Sequence, residues 1–394
     1  MYEQVEGSRA VALAVARCRP KVIAAYPITP QTHIVEALGA MVKAGELAGC
    51  EFLTVESEFA SMSASLGACA VGARAYTATA SQGLLYMAEV LYNVSGLGLP
   101  VVLTVANRAI GAPINIWNDQ SDSMSQRDCG WVQLYADDNQ AAVDLHVVAF
   151  RLAESLSLPV MVCVDGFVLT HAIEPIEVPG QEQVDAFLPP FTPRQVLDPD
   201  HPVTIGAMVG PEAFTEVRAI SHRTLLRAAD VFDELTERYA QLTGHRLSAV
   251  SPYRAEHART VLLTIGSVTG TAHELADELA AEGRDVGVVS LTLFRPFPVA
   301  ALRDALHGAA EVIVLERAFA PGAGGVITPD VRAALTGLPI TVRTVIAGLG
   351  GRPVTKDSLR TVLDDAAAGR LEDLRFLDLH EDVVDAALAA GGLS

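Results

Sequence analysis

Paired cysteines are missing from this chain. Its five cysteines, Cys18, Cys50, Cys69, Cys129 and Cys163, stand alone, and no two fall at CxxC spacing. The chain therefore encodes neither an iron–sulfur cluster nor a zinc knuckle, and isolated, reduced, buried thiols are expected. The ten histidines form no ligand pair along the sequence, so no metal is assigned to the chain by itself. Cationic charge is short: 28 lysines and arginines face 47 aspartates and glutamates, for a net charge of −19. That balance argues against nucleic acid, anionic membrane surfaces and a docking face for an acidic redox carrier. No apolar run reaches transmembrane length, and the acidic start over 1–6 lacks the basic-then-apolar order of a signal peptide. A cytoplasmic protein is expected.

What is present suits a large α/β protein. At 394 residues, half of them hydrophobic and 19% charged, the chain has room for two or three domains with a deep core. Apolar, β-branched runs recur over 21–26, 52–55, 75–80, 100–106 and 159–164, separated by helical patterns such as Ile34, Val35, Leu38, Met41 and Val42. Continuous apolar strands alternating with helices predict a parallel sheet covered on both faces. The helix predicted over 57–72 is built almost wholly of Ala, Ser, Gly and Met, which lets another helix or a ligand approach its backbone. From about 171 to 257 the periodicity fails among prolines, and one helical segment, over 223–243, interrupts an extended crossover. A second α/β unit follows, with strands predicted over 261–265, 286–291, 312–316 and 340–346. Its glycines Gly322, Gly324, Gly325, Gly348, Gly350 and Gly351 do not form GxGxxG after a first strand and read as tight turns. The acidic end over 361–394 reads as a solvated or subunit-facing helical tail. The expected division is 1–170, 171–257 and 258–394.

Four polar elements stand at the ends of successive strands in the first unit. Tyr26–Thr32, with two prolines three residues apart, is a rigid turn that carries Thr29. Val55–Glu58 follows the second strand, Ala80–Gly83 the third and Asn107–Ala109 the fourth. A loop with Asn115, Trp117, Asn118, Asp119, Gln120, Asp122 and Arg127 comes next. Open parallel sheets collect ligands at this edge. Glu58 opens the small-residue helix. Burial there favours the neutral form of a carboxyl unless a cation pairs it, while an acid that only complements the helix dipole is the plainer alternative. Arg108 suits bidentate capture of a substrate carboxylate. An internal ion pair to Asp119, Asp122 or Glu56 is the equal alternative.

These motifs in this order resemble the α subunit of the 2-oxoacid:ferredoxin oxidoreductases. The resemblance is carried by YPITPQT (26–32), VESE (55–58), TASQGL (79–84), NRAI (107–110), QRDCGW (126–131) and DGF (165–167), then FRPFP (294–298) and GLGGRPVT (348–355). It implies a parallel-sheet, pyrimidine-type thiamine-binding domain and a smaller α/β domain like the transketolase C-terminal domain. It also implies thiamine diphosphate chemistry, with Glu58 hydrogen-bonding the aminopyrimidine and Thr29 and Arg108 binding the 2-oxo acid. Pro27, Ile28, Gln82 and Gly83 would contact the cofactor, with Asn115, Asp119, Asp122 and Arg127 as supporting residues. The chain has no Gly-Asp-Gly for a Mg²⁺-held diphosphate. The resemblance therefore implies a β subunit carrying the diphosphate and Mg²⁺ half, γ and iron–sulfur δ subunits, coenzyme A as co-substrate, and ferredoxin or another acceptor such as NAD. Pyruvate is the default substrate, with an aryl or branched 2-oxo acid such as phenylglyoxylate as alternative. A non-redox transketolase-like subunit and a scaffold subunit with a decayed site are the rival readings.

Overall fold

Strand runs that are apolar throughout become strands buried on both faces. In a computed structural model describing residues 3–391, Ala75–Thr79, Val102–Asn107 and Val160–Asp165 are buried at every position. They lie at the centre of a seven-stranded sheet with the order Leu293–Arg295, Val132–Tyr135, Val160–Asp165, Val102–Asn107, Ala75–Thr79, Val22–Ala25, Glu51–Thr54. All neighbours are parallel except the edge strand Leu293–Arg295, which pairs antiparallel with Val132–Tyr135. From Val22–Ala25 the chain leaves towards Glu51–Thr54, and from Ala75–Thr79 it leaves the opposite way, towards Val102–Asn107. The turn 26–31 and the segment 80–83 thus flank the crevice where strand order reverses, the place such sheets reserve for ligands.

The helix Glu58–Ala70 shows why its residues are small. Its Ser61 hydroxyl reaches Ala24 O at 2.8 Å and Thr77 Oγ1 at 2.7 Å, a close packing on two strands that larger side chains would prevent. Ser57 caps the helix, accepting the Ala60 N–H at 3.1 Å.

A second sheet of six strands runs Leu374–Phe376, Thr341–Ile346, Glu311–Glu316, Thr260–Thr264, Val286–Leu291, Val250–Tyr253, with only the last antiparallel. The sheets share one apolar core, in which Val105, Tyr135, Cys163 and Phe294 of the first join Ile265 and Leu291 of the second unit. A third, two-stranded sheet pairs Glu3–Glu6 with Ile173–Ile176. All five cysteines are free and buried, and burial pushes their pKa values up, to about 11 for Cys50 and about 12 for Cys69 and Cys129. Among the described residues, no helix is long and apolar enough to cross a membrane.

Three elements differ from expectation. The helix expected over 223–243 spans Pro211–Thr243, starting at a proline in its first turn and ending at left-handed Gly244. Its first half escapes the periodicity because it has no core to face, and Phe214, Val217 and Ile220 are exposed. Val132–Tyr135 is a further strand that the apolar runs do not mark, since Gln133 interrupts it. Leu293–Arg295, inside the FRPFP motif, joins the first sheet rather than the second. The helix Glu381–Ala390 in the acidic tail has no buried residue.

Candidate active site

Glu58, the first residue of its helix, is 8% exposed, and no described residue hydrogen-bonds or ion-pairs with its carboxylate. It lies against Gly83. A Cβ on Gly83 would fall 2.7 Å from Glu58 Oε1 and 2.5 Å from Thr79 Oγ1. The Thr79 hydroxyl is itself buried without a partner, as is Gln31 Oε1. Gln31 Nε2 donates to Tyr26 O at 2.9 Å and Ala78 O at 3.0 Å, tying the turn after the first strand to the third. Sequence reasoning had not singled out Thr79 or Gln31. Their one signal is a polar residue at the end of an apolar strand.

Arg108 is 7% exposed and forms no ion pair with a carboxylate among the described residues. Its Nη1 donates to Thr29 O at 2.9 Å and its Nε to Asn115 O at 3.3 Å, so two neutral carbonyls aim the guanidinium without a direct carboxylate partner. Burial lowers its pKa from the ordinary value, with nearby Asp122 opposing. The ion-pair alternative for Arg108 is thus not what forms. Thr29 is exposed beside it, as is Pro27, while Ile28 is half-buried.

Asp122 is the hub. Its fully buried carboxylate accepts the N–H of Ser81 (2.8 Å), Arg108 (3.0 Å) and Ser123 (2.7 Å), and Asn107 Nδ2 (2.7 Å). Burial pushes its pKa up to about 7 against these four donors. Ser81, held at φ +51°, gives its hydroxyl to Gln82 Oε1 and Ala109 O. Gln82 Nε2 in turn sits where a Cβ on Gly111 would be.

The loop beyond Arg108 is braced from the second sheet. Asn115 Nδ2 donates to Gly350 O at 3.1 Å, and Gly350 N donates to Asp119 Oδ2 at 3.3 Å. Burial raises the Asp119 pKa, opposed by its hydrogen bonds and Arg317. The turn at Gly350 and Gly351, both at positive φ, approaches so closely that a Cβ on Gly350 would lie 2.6 Å from Asn115 Nδ2. Behind the loop, Asp165 takes Arg317 Nη1 at 2.8 Å, Ser267 Oγ at 2.6 Å and Gln120 Nε2 at 2.8 Å, a clamp between the units. Both amide atoms of Asn118 are buried without partners.

Thr29, Glu58, Gln82, Gly83, Arg108, Asn115, Asp119 and Asp122 thus form one connected set at the crevice. Arg127 does not join it. Its guanidinium donates to Met124 O at 3.2 Å, lies 3.9 Å from Asp128, and faces a groove with Ser95, Ser157 and Arg295. The short helix Ser121–Ser125 carries the chain back to the opposite edge, where the next strand begins at Val132. An unpartnered buried carboxyl beside a glycine can exchange a proton with a nitrogen heterocycle. That donor set, at a carboxyl that the missing side chain of Gly83 lets pack closely on the backbone, fits an aminopyrimidine ring.

Residues 13–237 match the family "Pyruvate flavodoxin/ferredoxin oxidoreductase, thiamine diP-bdg", and residues 258–359 match "Pyruvate:ferredoxin oxidoreductase core domain II". The chain belongs to the α-subunit family of the 2-oxoacid:ferredoxin oxidoreductases. Within that family it is similar to pyruvate synthase subunit PorA of Methanosarcina barkeri, at 40% identity over 96% of this chain and 97% of the relative. It is also similar to ketoisovalerate oxidoreductase subunit VorA of Pyrococcus horikoshii, at 37% identity over 92% of each. A 2-oxoglutarate:ferredoxin oxidoreductase from Magnetococcus marinus, solved with 2-oxoglutarate, coenzyme A and succinyl-CoA, superposes with a TM-score of 0.71 at 22% identity. That likeness, over 92% of this chain and 65% of the longer one, bears on the fold alone.

Proposed function

We propose that this chain is the α subunit of a thiamine diphosphate-dependent oxidoreductase that converts pyruvate and coenzyme A to acetyl-CoA and carbon dioxide. The observation that carries the reading is the buried Glu58 carboxylate, which has no partner among the described residues and packs directly on Gly83. When bound, thiamine diphosphate supplies a carbanion nucleophile and an electron sink, neither of which amino-acid side chains provide. Glu58 holds and returns a proton at the cofactor's pyrimidine nitrogen, as general acid and base. Pro27, Ile28, Gln82 and Gly83 shape the ring's pocket. Arg108, with no direct carboxylate partner among the described residues, binds the substrate carboxylate together with the exposed Thr29 hydroxyl. Asn115, Asp119 and Asp122 position that guanidinium.

The diphosphate and Mg²⁺ half of the site belongs, in this reading, to a β subunit, and the iron–sulfur clusters to a δ subunit, with a γ subunit alongside. Ferredoxin or another acceptor takes the electrons, and the complex works in the cytoplasm. Residues 1–170 serve as the thiamine domain, 171–257 as crossover and 258–394 as an assembly domain. Reconstitution with the partner subunits tests the reading through coenzyme A-dependent acceptor reduction. Pyruvate is expected to give a higher kcat/KM than 3-methyl-2-oxobutanoate or phenylglyoxylate. A reversed preference would move the assignment to those acids, and a loaded complex inert to every 2-oxo acid would overturn it.

A further inference from the structure

Three residues far apart in sequence meet at the first turn of the helix that follows Thr29. Glu6 ends the strand Glu3–Glu6, His33 is the second residue of the helix Thr32–Lys43, and His171 lies in the turn before Ile173–Ile176. One ligand atom from each lies within 4.8 Å of the other two. We propose that Glu6, His33 and His171 form a binding site for a divalent first-row transition ion such as Zn²⁺, with water in its remaining positions.

The donor set is two imidazoles and one carboxylate, a combination that suits borderline cations and leaves coordination positions open. Around a tetrahedral ion with bonds of ~2.0–2.1 Å, ligand atoms stand roughly 3.3 Å apart, so the His33–Glu6 pair must open while the wider spacings, up to 4.8 Å, close. Its outer members can do so: the side chains of His33 and Glu6 are 49% and 32% exposed, and they already meet at 2.7 Å through Nδ1 and Oε1. An ion there takes the place of the proton they share.

His171 is the fixed member. Its Nδ1 is 2.8 Å from Thr170 Oγ1, which also accepts the Phe167 N–H at 2.8 Å. Thr170 is held through its carbonyl by the Ser8 N–H (2.9 Å) and hydroxyl (2.8 Å). With Nδ1 engaged by Thr170, Nε2 is the nitrogen left for an ion, the outer-shell arrangement that orients metal-binding histidines. The ring also packs on Phe167, centroid to centroid at 4.6 Å, and faces His33 at 4.8 Å. A bound ion would fasten the two-stranded sheet to the first turn of the helix that follows Thr29. This site is independent of the thiamine reading.

The test uses the untagged full-length chain, stripped with EDTA and titrated with Zn²⁺ by calorimetry, with Co²⁺ absorption as a second readout. Expected are one equivalent bound, a rise in melting temperature reversed by EDTA, and cobalt bands typical of nitrogen and oxygen ligands. His33→Ala, at an exposed position, should weaken Zn²⁺ binding by at least about 100-fold, beyond the ~10–100-fold that loss of an outer-shell partner costs. Thr170→Val should fall within that outer-shell range. Absence of stoichiometric Zn²⁺ binding by the native chain, or equal affinity in His33→Ala and native protein, would overturn the proposal.

Discussion

The backbone N–H of Arg108 donates to Asp122 Oδ2 at 3.0 Å, and the same oxygen takes the Ser81 N–H at 2.8 Å. One carboxylate thereby ties together the ends of two neighbouring strands and sets the starting direction of the Arg108 side chain. The guanidinium is then held by the Thr29 and Asn115 carbonyls, with no direct ion pair to a carboxylate among the described residues.

Asp122 should make stability depend on pH. An acid whose pKa rises on folding stabilises the fold below its unfolded value and loses that contribution as pH climbs through the folded one. For Asp122 that window runs from about 4 to about 7. Asp122→Asn should therefore cost more at pH 6, above the isoelectric point of about 4.9, than at pH 8.5. Urea denaturation at the two values should show the penalty differing by about 1 kcal/mol. An equal penalty at both would mean that Asp122 is already charged in the fold at pH 6.

Arg108→Lys keeps the charge but loses the planar fork. In the assembled complex kcat/KM for the 2-oxo acid should drop by on the order of 1–3 kcal/mol, with little change in melting temperature. A destabilised complex with normal kinetics where folded would give Arg108 a purely structural role.

Gly83→Ala inserts a methyl group 2.7 Å from Glu58 Oε1. Overpacking of this kind costs typically ~1–3 kcal/mol. Cofactor binding by the complex should weaken sharply while helix content is kept. Unchanged cofactor affinity would show that the close packing of Glu58 on Gly83 does not serve cofactor binding.

The Asp165–Arg317 pair, at 2.8 Å with both side chains buried, should behave as a clamp. Arg317→Gln leaves a buried carboxylate uncompensated, an effect of about 3–5 kcal/mol by denaturation. Pairing it with Asp165→Asn should recover part of that loss. Additive penalties would mean that the two residues act separately.

Much of the crevice was legible because Thr29, Glu58, Gln82 and Arg108 each follow an apolar strand, and parallel topology brings strand ends together. The hub role of Asp122 was not legible, since three of its four donors are backbone or side-chain groups at 81, 107 and 108, which sequence spacing cannot rank. Arg127 misled by its nearness in sequence to Asp122, because a five-residue helix is enough to reverse the chain. The scattered histidines read as unrelated, yet the fold sets the His33 ring beside that of His171. Leu293–Arg295 crossing to the first sheet follows from shared core packing, which no local pattern encodes.

The most direct test is the C2–H exchange rate of thiamine diphosphate bound to the complex carrying Glu58→Gln. Glutamine keeps the shape but cannot hold or release the proton. Expected is exchange slowed by ~10²–10⁴-fold, with cofactor affinity changed far less. Exchange at the native rate would contradict the role of Glu58, and with it the observation on which the proposed function rests.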